Sequence, residues 1–292
     1  SGIGALMLPT PFAWYAADDL MLSDNDPVTV WPDRGRNGLD ATLATVDSPV
    51  FKANATRSGL PAVSFTPTRV LRTNVFPEIE QPNTIFVVWN ADGAGRLLDG
   101  ENDGSRHIFD TSSTAVRIFA GSFLTYTRQT NFPRFLIHTG IYNGANSAIR
   151  EDGQLVASGN VGTQDTTRFT IGAHHNLSSN PFNGDVAEII VYDRLLTQTE
   201  IEDIERYLYF KYFTVSLSGQ IDGISLVEAD IARSVALSGS IAGSSQIEAN
   251  LDYVSEIWGS IEAESDVAGL LVQKVGISGS IDGTSSVEGD LL

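Results

Sequence analysis

The sequence predicts an all-β fold in two parts: a β-sandwich closed by one C-terminal helix, then a four-copy β-repeat. Three observations carry this. Short apolar stretches separated by turn residues run to about Phe213, one helix signature stands just before that point, and a 20-residue period runs from Val215 onward.

The strands of the first part are read from Ala62 to Phe65, Thr84 to Trp89, Phe135 to Tyr142, Phe169 to Ala173 and Val186 to Tyr192. Thr84-Ile85-Phe86-Val87-Val88-Trp89 is almost continuously apolar or β-branched, as a strand buried on both faces is. Glu151-Asp152-Gly153-Gln154 supplies the Asp-Gly turn of a hairpin. Many short strands with glycine-containing turns mean a sandwich or barrel. Trp14, Trp31, Trp89 and Tyr192 are assigned to its core. The helix begins at the capping box Thr197-Gln198-Thr199-Glu200, after which Ile201, Ile204 and Leu208 recur at helical spacing. The first domain is therefore placed at residues 1–213 and the repeat at residues 214–292.

In the repeat, Leu217, Leu237, Ile257 and Ile277 correspond, as do Gly219, Gly239, Gly259 and Gly279, and Val227, Ile247, Val267 and Val287. Apolar and small residues alternate with polar ones, the period of a strand. Because 20 is even, every copy presents the same face, and Gly223, Gly243 and Gly283 are expected to turn each copy into a hairpin. Each copy carries few large apolar side chains, worth about 1.5 to 3 kcal/mol each when buried. Ordering costs about 1 to 2 kcal/mol per residue. A single chain's repeat is thus expected to bury its face by assembly, as a trimeric β-prism or fibre, a homotrimer built through residues 214–292. Residues 215–292 hold 2 basic and 12 acidic side chains, a charge suited to the solvated outside of a thin rod.

Composition narrows function by exclusion. The chain carries 18 Lys and Arg against 36 Asp and Glu, a net charge of −18, which disfavours nucleic acid as a partner. Zero cysteine removes disulfides, thiolate metal sites and thiol catalysis. No apolar run reaches the length of a membrane span and the amino end does not read as a signal peptide, so no membrane insertion is expected.

Several segments resemble a known family. They are Trp14-Tyr15-Ala16-Ala17-Asp18-Asp19-Leu20, Val28 to Ala41 with its Trp31-Pro32-Asp33-Arg34-Gly35 centre, Pro61 to Phe65, Ile171-Gly172-Ala173, Phe182 to Asp193, and Leu196 through Tyr212. Together they resemble the concanavalin A-like, laminin-G-like lectin/glucanase domains of bacterial surface proteins and bacteriophage virion proteins, over residues 10–213. The resemblance implies a jelly-roll sandwich and a lectin-like module. The repeat resembles the LSGxIxG-type repeats of phage fibre and surface proteins. Taken together, these likenesses imply a non-enzymatic virion surface protein, a tail fibre or a head decoration, whose partners are other virion proteins and a host surface glycan. A structural cement protein without glycan binding, a bacterial extracellular adhesin and a glycan depolymerase are the alternatives.

For a depolymerase, two carboxylates flanking a glycosidic bond are required. The nearest string, Glu200-Ile201-Glu202-Asp203-Ile204-Glu205, falls on the predicted helix with Glu202 and Glu205 on an outer face, and Glu78-Ile79-Glu80 reads as a loop, so no enzyme is expected. No cofactor is expected beyond Ca²⁺. Asp99, Glu101, Asp103 and Asp110 occupy positions 1, 3, 5 and 12 of an EF-hand-like spacing with Gly104 at position 6, so the segment reads as either a Ca²⁺ loop or a polar hairpin. Adjacent His174 and His175, placed on a strand, would point to opposite faces, a poor arrangement for zinc. Sugar binding needs stacking aromatics and amides on loops, which selects Tyr126, Asn131, Phe132, His174, His175, Asn176 and Asn180.

Overall fold

The computed structural model of the protein describes residues 8–112, 114–128 and 135–213, and the backbone of the strands within residues 215–291. The chain divides into two compact units, Ser1–Tyr209 and Phe210–Leu292. The division falls inside the C-terminal helix of the sandwich rather than after it.

Along the first unit run β1 (Ala13–Ala16), β2 (Val30–Trp31), β3 (Ala41–Leu43), β4 (Val50–Lys52), β5 (Ala62–Phe65), β6 (Leu71–Arg72), β7 (Asn83–Ala91) and β8 (Gly95–Asp99). They are followed by β9 (Ile108–Ser112), β10 (Ala115–Phe119), β11 (Phe123–Thr127), β12 (Leu136–Tyr142), β13 (Ser147–Glu151), β14 (Gln154–Gly159), β15 (Thr170–Ile171), β16 (Gly184–Tyr192) and the helix α1 (Gln198–Phe213). They form two eight-stranded antiparallel sheets. The first, sheet A, has the order β14-β13-β12-β7-β16-β5-β4 with β1 also on β16; the second, sheet B, is β11-β10-β9-β8-β15-β6-β3-β2.

The sheets enclose one apolar core. Central β7 is buried from Asn83 through Trp89, as its unbroken apolar run requires. Trp89 stacks on Phe182 and meets Phe109 edge-on, tying sheet A to sheet B. Trp31, Trp89 and Tyr192 are core residues as predicted. Trp14 is not: it is half-buried, its indole N–H donates to Glu188 at 2.5 Å, and the Arg34 guanidinium lies 3.7 Å from its ring centroid. The β13–β14 hairpin turns on Asp152 and Gly153, both at positive φ, 45° and 83°, which is the geometry an Asp-Gly turn supplies.

The capping box forms. The Thr197 hydroxyl accepts from the Glu200 N–H at 3.2 Å and the Glu200 carboxylate accepts from the Thr197 N–H at 2.8 Å. The helix lies on the outer face of sheet A. Glu205 accepts from the Thr139 hydroxyl and takes Arg150 in a bidentate pair, at 2.7 to 2.9 Å, and Tyr207 meets Trp14 edge-on. Glu205 is therefore buried and not on the outer face that sequence spacing gave it. Glu202 does remain exposed.

In the second unit, β17 (Val215–Asp222), β19 (Val235–Ala242), β21 (Glu256–Ile261) and β23 (Gly276–Ile281) form one four-stranded sheet. The strands β18 (Ser225–Ile231), β20 (Ser245–Leu251), β22 (Ser265–Leu271) and β24 (Ser285–Leu291) form another. Both sheets are parallel and in register with the period: Leu217 pairs with Leu237, that with Ile257, and that with Ile277. The two strands of a copy thus join different sheets, which corrects the expected hairpin. Each strand pairs with its own equivalent one copy on, so the ladder places like residues beside like. The predicted turn glycines 223, 243 and 283 lie outside the described residues.

Candidate functional site

With α1 on sheet A, the outer face of sheet B is the sheet surface that carries no helix among the described residues. Strand alternation sorts its side chains. Leu71, Phe109, Val116, Ile118 and Ile171 enter the core, so Arg72, Asp110, Arg117, Phe119 and Thr170 leave on the other side. Arg96 and Asp99 join them across a register shift in β8.

These residues form a continuous charged belt. Arg117 grips Asp110 with two bonds of 2.7 and 2.9 Å. Arg96 bonds Asp99 at 2.9 Å and lies 3.7 Å from Asp110. Arg106 also takes Asp99 with two bonds, at 2.8 and 2.9 Å, and reaches Asp103. Burial alone would raise the Asp99 carboxyl, but the Arg106 hydrogen bond and the charges of Arg96 and Arg106 outweigh it and leave the group below its ordinary value. At Asp110 burial wins over Arg117 and Arg96 and the carboxyl is raised.

Two turns cover the belt. Asn102 accepts the Gly104 and Ser105 N–H groups in one, and Asn176 accepts those of Ser178 and Ser179 in the other. The second turn carries His174 and His175. Because they sit in a turn and not on a strand, their rings do not diverge but lie 3.9 Å apart, centroid to centroid. Burial lowers the His174 imidazole pKa; the Asp99 charge works against this, and His175, Arg96 and Arg106 add to the lowering.

The sequence-predicted residues are thus partly united. Asp99, Asp103, Asp110 and His175 meet in one cluster, with His175 nitrogens 3.7 Å from Asp99 and 3.8 Å from Asp103. It is not the oxygen-lined Ca²⁺ loop the spacing predicts. Each Asp99 oxygen already accepts at least two N–H bonds, from Gly100, Arg96, Arg106 and the His175 backbone, and two guanidinium charges oppose a cation there. Glu101 turns away to accept from the Thr167 hydroxyl at 2.6 Å, and Asp110 begins no helix but sits in mid-strand. Donor atoms of Asp99, His174 and His175 come within 4.8 Å of one another, yet the His174 Nδ1 accepts from the Asn176 N–H at 3.1 Å and the same saturation holds Asp99.

Tyr126 faces inward, partly buried against the core. Asn180 contributes its carbonyl to the Arg96 N–H at 3.0 Å, and Asn176 is spent on its own turn. Asn131 and Phe132 lie outside the described residues. Sequence reasoning missed the arginines, and with them Phe119 and Phe123. These two rings pair across β10 and β11 at 4.8 Å, Arg117 lies 4.6 Å from the Phe123 centroid, and Phe123 remains 43% exposed. The signal was present: once Val116 and Ile118 are assigned to the core, Arg117 and Phe119 must face out.

A cavity of about 370 Å³ lies elsewhere, lined by Glu78, Glu80, Gln81, Asn143, Gly144, Thr163 and Asp165. Interaction with Asp165 raises the Glu78 carboxyl pKa above its ordinary value.

No family model and no curated protein matches the sequence. Solved structures do. The receptor-binding domain of botulinum neurotoxin type G is similar at a TM-score of 0.51 and 9% identity, over 68% of this chain and 52% of that one. Domain 4 of an extracellular GH43 arabinanase from Geobacillus stearothermophilus, solved with arabinotriose, gives 0.48 and 12%, over 67% of this chain and 98% of the domain. Trypanosoma rangeli sialidase, solved with the inhibitor DANA, gives 0.46 and 16%, over 70% of this chain and 34% of the enzyme. The fold is a jelly-roll β-sandwich. At these identities the likeness concerns the fold alone.

Proposed function

We propose that the sandwich is a non-enzymatic carbohydrate-binding module that takes a glycan on the outer face of sheet B, within a virion surface protein. One observation carries this: exposed Phe123, with half-buried Phe119 and Arg117 beside it, forms an aromatic and guanidinium platform on the sheet surface that α1 leaves open. An apolar ring face beside oriented N–H donors and the Thr125 hydroxyl suits the apolar and hydroxyl faces of a sugar. Among the described residues, the carboxylates near the platform, Asp99 and Asp110, are engaged by arginines.

The virion setting rests on the pairing of this module with a fibre-like repeat. The repeat forms a homotrimer through residues 214–292, and the remaining contacts are with other virion proteins. A glycan array on the full chain, repeated with Phe123→Ala, tests the module: hits that weaken about tenfold in the variant, about 1.4 kcal/mol, support it. An array without hits transfers the protein to the structural cement class, and release of reducing ends from a bound glycan overturns the non-enzymatic reading. Light scattering is expected to give a trimer, and a monomer defeats the assembly.

A further inference from the structure

The belt accounts for Arg96, Arg106 and Arg117, each with a carboxylate partner. Two further arginines on the same face have none. Arg72 lies on β6 opposite Thr170 of β15, and the contact continues where the Thr73 N–H donates to the Phe169 carbonyl and the Phe169 N–H donates to the Thr73 hydroxyl. Phe169 is buried in the core, so Arg168 and Thr170, on either side of it, both leave toward the outer face where Arg72 is. Strand β6 and the segment leading into β15 therefore hold two guanidiniums on one surface.

Neither forms an ion pair among the described residues. Arg72 spends Nε on the Thr170 hydroxyl at 3.1 Å and Nη2 on the His175 carbonyl, both neutral acceptors. Arg168 Nε is buried with no hydrogen-bond partner. The nearby acids are committed elsewhere, Asp99 to Arg96 and Arg106 and Glu101 to Thr167. Burial and then the charge of Arg168 pull the Arg72 pKa down, against the smaller opposing pull of Asp99 and Glu101, so the two guanidiniums act on each other. Like charges on paired strands are destabilising. The surrounding face carries five arginines, at positions 72, 96, 106, 117 and 168, against four carboxylates, on a chain whose net charge is −18. An acidic protein has placed a local excess of cation on the outer face of sheet B.

We propose that Arg72 and Arg168 form a subsite for a single oxyanion, so that the ligand of this face is an acidic sugar bearing a carboxylate or a sulfate ester. The ligand class rests on the glycan reading above; the oxyanion subsite does not. Guanidiniums offer paired N–H donors that match the two oxygens of such a group, and the bound anion supplies the counter-charge that the fold withholds.

The test measures melting temperature and calorimetric affinity on the full chain with sodium glucuronate, sodium sulfate and glucose, at ionic strength matched by sodium chloride. Glucuronate, sulfate or both are expected to stabilise beyond the chloride control while glucose does not, and which of the two acts identifies carboxylate or sulfate as the source. Arg168→Gln should weaken that binding at least tenfold while leaving the ligand-free melting temperature unchanged or higher, because it removes one of two repelling charges. Arg168→Lys should keep part of the response and guards against a folding artefact in the glutamine variant. An anion response no larger than chloride's, or one that Arg168→Gln leaves intact, overturns the subsite. Neutral oligosaccharides and Phe123→Ala separate the two claims. If anions bind through Arg168 and no glycan binds, the subsite stands and the glycan reading falls; if neutral glycans bind through Phe123 and anions do nothing, the reverse holds.

Discussion

His107 shows how one buried side chain ties this fold to pH. Its ring stacks on Tyr142 at 4.8 Å, Nε2 donates to the Gln164 carbonyl at 2.8 Å, and Nδ1 is buried without a partner, so the imidazole is neutral with its proton on Nε2. Burial pushes its pKa down to about 4. The folded-state value lies below the unfolded one, so the stability it confers is complete above about pH 6.5 and is lost as pH falls toward 4, about 3 kcal/mol in all. His138 acts in the same direction. Burial lowers its pKa, with Trp89 Nε1 donating to its Nδ1 and its own Nε2 facing Glu151, each at 2.9 Å. Urea unfolding at a series of pH values should therefore show stability declining between pH 6.5 and 4.5, with His107→Gln flattening part of that decline. An unchanged slope in the variant would remove His107 from the account. None of this was legible in the sequence, because His107 looks like any polar residue after a Gly-containing loop until Tyr142 and Gln164 are known to enclose it. The belt has the same character. The acids were visible by their spacing, but the arginines that neutralise them lie on three separate segments, so a row of carboxylates read as a cation site.

At the scale of elements, local signals were read correctly and their cross-chain partners were not. The capping box placed the start of α1, and the Asp-Gly pair placed the β13–β14 turn. Glu205 was misread. It shares the face of Ile201 and Leu208 at spacing i, i+4 and i+7, so it was bound to be buried with them, and an acid on that face called for a cationic partner. Arg150, 55 residues earlier in the chain, supplies it with bonds of 2.8 and 2.9 Å. Removing one member leaves the other charge buried and uncompensated. Glu205→Ala should therefore cost about 3 to 5 kcal/mol in urea denaturation, while Glu202→Ala, on the exposed side of the same helix, should cost within about 0.5 kcal/mol. Comparable losses from the two would mean that Glu205 acts through helix propensity and not through Arg150.

At the scale of the molecule, the two units illustrate opposite limits of sequence reading. The sandwich has a core of large, irregularly spaced side chains, so its pattern specifies strands but not which of the 15 other strands each one joins. The repeat has mostly aliphatic and small side chains, yet its period fixes the pairing once the ladder is parallel, since every residue then lies beside its equivalent. The expected hairpin assumed that a strand pairs with its neighbour in sequence, which is the common case for antiparallel sheets. A 20-residue repeat permits a different solution, in which the two strands of a copy join separate sheets and each sheet grows by one strand per copy. Length then becomes a modular property. Deleting residues 235–254, one full period, carries β17 and β18 directly onto β21 and β22, and the ladder Leu217 to Ile257 closes in the same register that Leu237 and Ile257 hold now. Deleting residues 235–244 instead removes β19 and leaves β20 facing a strand of the other sheet, with no equivalent to pair with. Far-ultraviolet circular dichroism and hydrogen exchange should show the first variant keeping β structure in proportion to its three remaining copies, while the second loses protection beyond the deleted strand. Equal protection in the two would mean that the ladder tolerates a broken period, and the parallel register could not be what holds the repeat together.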